Sequence, residues 1–231
     1  MEQNLLVHGI SVAENSNLQI GTNMKKCYIV GAGEFAKEKF KPNKTDFIIA
    51  ADGGMDYLNE AGFMPNVIIG DMDSISEEAQ ENVRHQKNIE WIKLPVEKDD
   101  TDVMAAIRLA VDRGYEEFHI FGGCGGRLDH TLANINCLTY LKILGFRGYL
   151  YGINENLQVI ENETICFPSD IKGRISIFSI GDNAEGITLK GLKYLLNNDT
   201  MTNSFPIGVS NEFTGQESSV TVKKGKLLLV Y

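Results

Sequence analysis

Six carboxylates lie just beyond the ends of hydrophobic runs, where open α/β proteins do their chemistry. Asp52 follows FIIA, Asp71 and Asp73 follow VIIG, and Asp99 and Asp102 follow IEWIKLP. Asp129 comes after FHIF, across a glycine-rich turn. If these runs are parallel strands of one sheet, all six acids converge on its carboxyl edge, where such sheets bind ligands. Two carboxylates about 5 Å apart repel by about 3 kcal/mol at an effective dielectric of about 20, so a cluster of them needs a cation. Oxygen ligands with no His or Cys among them select a hard ion, Mg²⁺ first and Mn²⁺ second. The chemistry this implies is metal-assisted work on phosphate.

Ordinary structural roles explain part of the pattern. Ser74-Ile-Ser-Glu77 reads as a capping box, and acids at a helix start gain from its dipole. That accounts for Ser74, Glu77 and Asp73, but not for Asp71. Thr101 or Asp100 caps the following helix, where one acid would suffice and three stand between Asp99 and Asp102. The run Gly122-Gly-Cys-Gly-Gly126 leads into Arg127-Leu-Asp129-His130 and a helix. A loop of this kind offers backbone N–H groups to phosphate oxygens, and Arg127 adds a charged fork. No Gly-Lys-Ser/Thr follows, so it is not a Walker A loop. His130 either touches phosphate or is an ordinary first-turn residue. His8, His85 and His119 read as surface or sheet residues, and Trp91, alternating with Ile89, as core.

A rival reading starts at Gly31-Ala-Gly33-x-x-Ala36. This matches a dinucleotide fingerprint, with Asp52 placed where a ribose-binding acid is expected. An NAD(P)-type oxidoreductase is therefore the main alternative. Against it, the segment EFAKEKFKP is short and highly charged and is stopped by Pro42, and a pyrophosphate there would meet the other acids.

The elements that must position these residues follow from periodicity. Up to about residue 150, the runs CYIVG, FIIAA, VIIGD, IEWIKL, FHIFGG and RGYLYGI alternate with helical patterns near 55–61, 76–86, 102–113 and 129–144. That rhythm builds βαβ units and a parallel, Rossmann-like sheet. Val103, Ala106, Ile107, Ala110 and Val111 form the stripe of a helix packed on it. After Asn156 come only short strand-like runs, LQVIENETICF, RISIFSI, GITLKGL, SSVTVKKG and KLLLVY, the pattern of a small all-β sandwich. The expected organisation is an unassigned extension over 1–24, an α/β nucleotide- and Mg²⁺-binding domain over 25–152, and a β-sandwich domain over 153–231. No internal repeat or low-complexity tract interrupts it.

Composition excludes several classes. A net charge of -9 argues against nucleic acid or an anionic membrane as the main partner. No apolar run is long enough to span a bilayer, and residues 1–24 lack the marks of a signal peptide. Cys27, Cys124, Cys137 and Cys166 lack metal or redox spacing and read as free thiols of a cytoplasmic protein.

Taken together, the blocks Asp52-Gly-Gly, Gly70-Asp-Met-Asp-Ser74, Lys98-Asp-Asp-Thr-Asp102, Gly126-Arg-Leu-Asp-His130 with Asn134, and Ser210-Asn-Glu-Phe213 resemble those of the thiamine pyrophosphokinases, in order and over about residues 26–231. The resemblance implies an α/β domain followed by a β-sandwich, in a homodimer with active sites between subunits. It also implies transfer of the β,γ-pyrophosphoryl group of ATP to the hydroxyl of thiamine, releasing AMP. By position, Asp71, Asp73 and Asp102 would hold Mg²⁺, with Asp99 close by and Arg127 sharing the catalytic work. Asp52, Gly53, Thr101, Gly125, Gly126, Arg127, Asp129 and His130 would face the nucleotide, and Ser210, Asn211 and Phe213 the thiamine. Two departures stand out. Some animal homologues stack thiamine on a Trp of the second domain, whereas the one Trp here is Trp91, leaving Phe205 or Phe213 for that place. Lys98 replaces a neutral amide. A non-enzymatic nucleotide or thiamine sensor with the same pocket is a further alternative.

Overall fold

The computed structural model describes residues 24–95 and 99–231. The extension over 1–23, with His8, and the segment holding Lys98 lie outside the described residues.

Apolar, β-branched runs form the central strands. β1 (Lys26–Val30), β2 (Phe47–Ala51), β3 (Val67–Gly70), β4 (Glu90–Lys93), β5 (Glu117–Phe121) and β6 (Arg147–Tyr151) are parallel, in the order β6-β5-β1-β2-β3-β4. Four helices connect them: α1 (Gly54–Ala61), α2 (Glu77–Arg84), α3 (Asp102–Asp112) and α4 (Leu128–Ile143). They cover both faces, as parallel strands require. Ile29, Ile49, Ile107, Phe118 and Leu138 are buried on the α3/α4 side, and Val30, Met55, Leu58, Ile68 and Phe121 on the α1/α2 side. The segment expected to be a short charged helix is a single 3-10 turn, Lys37–Lys39.

The sheet does not stop where the helices do. β7 (Asn156–Glu161) pairs antiparallel with β6, and β14 (Lys226–Val230), β9 (Arg174–Ser179) and β12 (Gly208–Glu212) extend it to ten strands. A second, four-stranded sheet is formed by β8 (Thr164–Phe167), β10 (Ala184–Lys190), β11 (Leu196–Met201) and β13 (Ser218–Thr221). Between the two sheets, Ile160, Ile175, Ile177, Ile187, Val220, Leu227 and Leu229 are buried. The expected α/β fold with a β-sandwich is therefore present, and one layer of the sandwich continues the parallel sheet. The β6–β7 turn is clamped by Lys39, whose ammonium donates to Gly152 O at 2.7 Å, Glu155 O at 3.2 Å and Asn156 Oδ1 at 3.0 Å.

Two local expectations are corrected. The cap of α2 is Ser76, whose hydroxyl accepts the Ala79 N–H at 3.2 Å, while the Ser74 hydroxyl donates to Asp73 Oδ1 at 3.0 Å. Trp91 is 42% exposed rather than core, because β4 is an edge strand and its ring lies beside the exposed face of α2. Of the two cap candidates for α3, Thr101 and Asp100, it is Thr101 that caps, accepting the Met104 N–H at 3.2 Å. Among the described residues, no helix is long and apolar enough to cross a membrane.

Candidate active site

Strand order reverses between β1 and β5, the topological switch point at which open α/β sheets form a crevice. Each of these strands runs into a glycine loop, and the two loops are laced together by Gly31 N–H to Phe121 O at 2.8 Å, Gly33 N–H to Gly122 O at 2.7 Å and Glu34 N–H to Cys124 O at 2.8 Å. A Cβ on Gly33 would stand 2.5 Å from Cys124 O, and one on Gly122 2.1 Å from Gly31 O. The Gly-x-Gly spacing is thus required by backbone against backbone, independently of any dinucleotide. This removes the sequence argument for the NAD(P) reading.

A cleft of about 510 Å³ opens over these loops. Asp52, Asp71, Thr101, Asp102, Gly125, Gly126, Arg127 and His130 line it, and Asp73 does not. The ends of β2 and β3 bring Asp52, Asp71 and Asp73 together, with one carboxylate oxygen from each lying within 4.8 Å of the others. The backbone is bent to do this. Asp52 has φ 51° and Met72 φ 73°, and a Cβ on Gly70 would stand 3.2 Å from Asp52 Cα. Left-handed non-glycine residues are uncommon and concentrate at functional sites.

Asp52 Oδ1 is buried with no hydrogen-bond partner among the described residues. Burial pushes the Asp52 carboxyl above the usual range, hydrogen bonds from Ser74 and Gly53 oppose the rise, and the charges of Asp102 and Asp71 add to it. A buried acceptor left unmade costs about 1–3 kcal/mol, more when charged. Three carboxylates around one point, one of them carrying an orphaned oxygen, suit a hard divalent cation.

The remaining candidates are spread out. Gly53 follows Asp52 as the cap of α1, and Asp99 is exposed outside the cleft lining. Asp129 is exposed and holds Arg127 through Nε at 3.2 Å and Nη2 at 2.6 Å. Ser210, Asn211 and Phe213 do not reach the cleft within one chain. Ser210 sits on a bulge of β12, the edge strand, with φ 59°. Asn211 is buried, its Oδ1 accepting Tyr194 N–H at 2.9 Å and its Nδ2 donating to Tyr194 O at 2.7 Å. Phe213 packs on Phe167 with ring centroids 5.2 Å apart.

Three residues carry more than the sequence reading gave them: Asp100, read there as a cap or a surplus acid, Asn134, named only within a resembling block, and Tyr194, not singled out at all. Asp100 lines the cleft and pairs with Arg108 at 2.6 Å, two turns along α3. Asn134 lines the cleft from within α4. Tyr194 is 60% exposed and fixed by Asn211, so it offers an aromatic face that Phe213 does not.

A sheet of this order, with acids and a glycine loop at its switch point, has the layout of an α/β domain that binds phosphate-bearing ligands. Residues 41–147 match the family described as "Thiamin pyrophosphokinase, catalytic domain", and residues 162–227 match "Thiamin pyrophosphokinase, vitamin B1 binding domain". Thiamine pyrophosphokinase of Bacillus subtilis is 31% identical over 191 residues, covering 79% of this chain and 85% of that protein. A relative from Caenorhabditis elegans, thiamin pyrophosphokinase 1, is 26% identical over 208 residues, covering 81% and 79%. The crystal structure of the Bacillus subtilis enzyme superposes with a TM-score of 0.82 at 26% identity, covering 89% of this chain and 98% of that one. The chain belongs to the thiamine pyrophosphokinase family, whose members are diphosphotransferases.

Proposed function

We propose that the protein transfers the β,γ-pyrophosphoryl group of ATP to the hydroxyl of thiamine, giving thiamine diphosphate and AMP. The observation that carries this reading is the convergence of Asp52, Asp71 and Asp73, the first two of which line one cleft with Gly122, Gly123, Gly125 and Gly126. Mg²⁺ bound there supplies charge neutralisation for the polyphosphate. Asp71 and Asp73 are its ligands, Asp102 faces the same space, and Asp52 joins them on the strength of its orphaned oxygen. The loop amides, Thr101, Arg127 and His130 hold phosphate oxygens, with Asp129 keeping the Arg127 fork oriented until a phosphate displaces it. Asp99 is an outer acid that raises the local negative potential. Such transfer needs positioning and charge stabilisation more than covalent catalysis.

Residues 25–152 serve as the catalytic part and 153–231 as the thiamine part. In a homodimer, Ser210 and Tyr194 of one copy reach the cleft of the other, Tyr194 stacking on the thiamine rings. Exposure of Tyr194, Leu195, Phe205, Ile207 and Val209 in the second part, and of Leu128 and Leu132 in the first two turns of α4, supports that assembly. The protein works in the cytoplasm, in keeping with four unpaired thiols.

The test is to incubate the protein with ATP, Mg²⁺ and thiamine and identify the nucleotide formed. Thiamine-dependent AMP is expected. ADP would make it an ordinary kinase, and ATP binding without turnover in a folded sample would make it a sensor.

A further inference from the structure

Four consecutive carbonyls of the glycine loop each accept a hydrogen bond. Those of Phe121, Gly122 and Cys124 are taken by the main-chain N–H groups of Gly31, Gly33 and Glu34. The Gly123 carbonyl is taken by a side chain, Asn134 Nδ2, at 2.9 Å. Asn134 lies in the second turn of α4 and is only 5% exposed. Because a carbonyl can only accept, the amide nitrogen must be the atom that faces it.

Glycines on both sides make this restraint matter. Gly122, Gly125 and Gly126 have φ of 61°, 76° and 63°, so the chain takes left-handed turns on both sides of the Gly123–Cys124 peptide, and no Cβ on Gly123 hinders that peptide's rotation. The peptide unit is planar and trans, so fixing the Gly123 oxygen also fixes the direction of the Cys124 N–H and of the chain that follows. If the bond were lost, the Gly123 carbonyl would be free to turn, and an oxygen dipole turned into the cleft would oppose phosphate.

We infer that Asn134 is a positioning residue for nucleotide binding, holding the Gly122–Gly126 loop with its amides available to phosphate oxygens. The inference rests on the proposed nucleotide role of that loop. It assigns Asn134 no contact with the reacting atoms.

The test compares Asn134→Ala with Asn134→Asp, which keeps the shape but loses the donor. Mg²⁺–ATP affinity is measured by titration without turnover, alongside KM for ATP and thiamine, kcat and melting temperature. Both variants should weaken ATP binding about tenfold and raise KM for ATP to match, with KM for thiamine changed less than about twofold. The Asp variant should stay folded. Unchanged ATP affinity in the two variants would overturn the inference. So would equal losses toward ATP and thiamine with a collapsed melting temperature, or failure of both variants to fold, since Asn134 would then serve the fold alone. A wild type that binds ATP but makes no AMP would sink the reaction and leave the positioning role standing. A wild type that does not bind ATP would sink both.

Discussion

Asp52, Asp71 and Asp73 concentrate negative charge where folding alone gains nothing from it. Replacing Asp71 by Asn should therefore separate function from stability. Turnover should fall by about a hundredfold or more as a charged ligand is lost, while the metal-free melting temperature stays level or rises with the relief of repulsion. A clear drop in metal-free stability with activity kept would make Asp71 a structural residue. Glu117 is the opposite case. Its carboxylate meets His119 Nε2 at 2.9 Å and Lys26 Nζ at 3.1 Å, and chiefly the His119 hydrogen bond pulls its pKa down to about 2. A depressed acid contributes stability that is present above its unfolded value and lost as pH falls through the folded one. Wild type should thus be more stable than Glu117→Gln, by on the order of 2 kcal/mol above about pH 5, with the gap closing toward pH 2. Denaturation curves across that range check it, and a gap independent of pH would exclude the charge as its cause. The acids were legible in the sequence because strand ends announce themselves. Tyr194 was not, and for Asp100 and Asn134, although both stood out in the sequence, the role was not, because what marks it is a partner brought close only by folding: Asn211, Arg108 and the Gly123 carbonyl.

At the scale of elements, the two glycine loops act as one unit, since each closes against the other's backbone. Gly33→Ala puts a methyl 2.5 Å from Cys124 O and 2.7 Å from Gly122 O, both main-chain atoms with little room to move. Chemical denaturation should show a loss of about 2 kcal/mol or more, with ATP binding weakened beyond what the stability loss explains. An Ala variant with wild-type stability and ATP affinity would mean that the loops are not so closely locked. Helix and strand identities were readable from period and runs, and the α3 cap to within Thr101 and Asp100. The spacing from Ser74 to Glu77 pointed to the wrong serine, because the sequence does not show that Ser74 engages Asp73 and leaves Ser76 to cap. Trp91 misled because a strand's pattern does not reveal that the strand is an edge.

For the whole molecule, the sequence signalled a change from α/β to all-β near residue 156, but not that one sheet runs through the change. β6 and β7 pair as a hairpin across residues 152–155, a stretch the sequence presents as a domain boundary rather than as the turn of a hairpin. The continuous sheet holds Ser210 away from its own chain's cleft, which is why the proposed site needs two copies. Asp71→Asn and a blocking Ser210→Arg should each be inactive alone, and random co-assembly should recover roughly a quarter of wild-type activity, since half the dimers then hold one intact site in two. Activity remaining at background in a preparation shown to contain mixed dimers would place both residues in one chain's site. The central claim concerns which bond of ATP is broken, and ATP labelled at its β-phosphate reports that in a single turnover with Mg²⁺ and thiamine. The label should pass into thiamine diphosphate, leaving unlabelled AMP, and Asp71→Asn should abolish the passage; label found in ADP, with thiamine carrying a single unlabelled phosphate, would contradict the account.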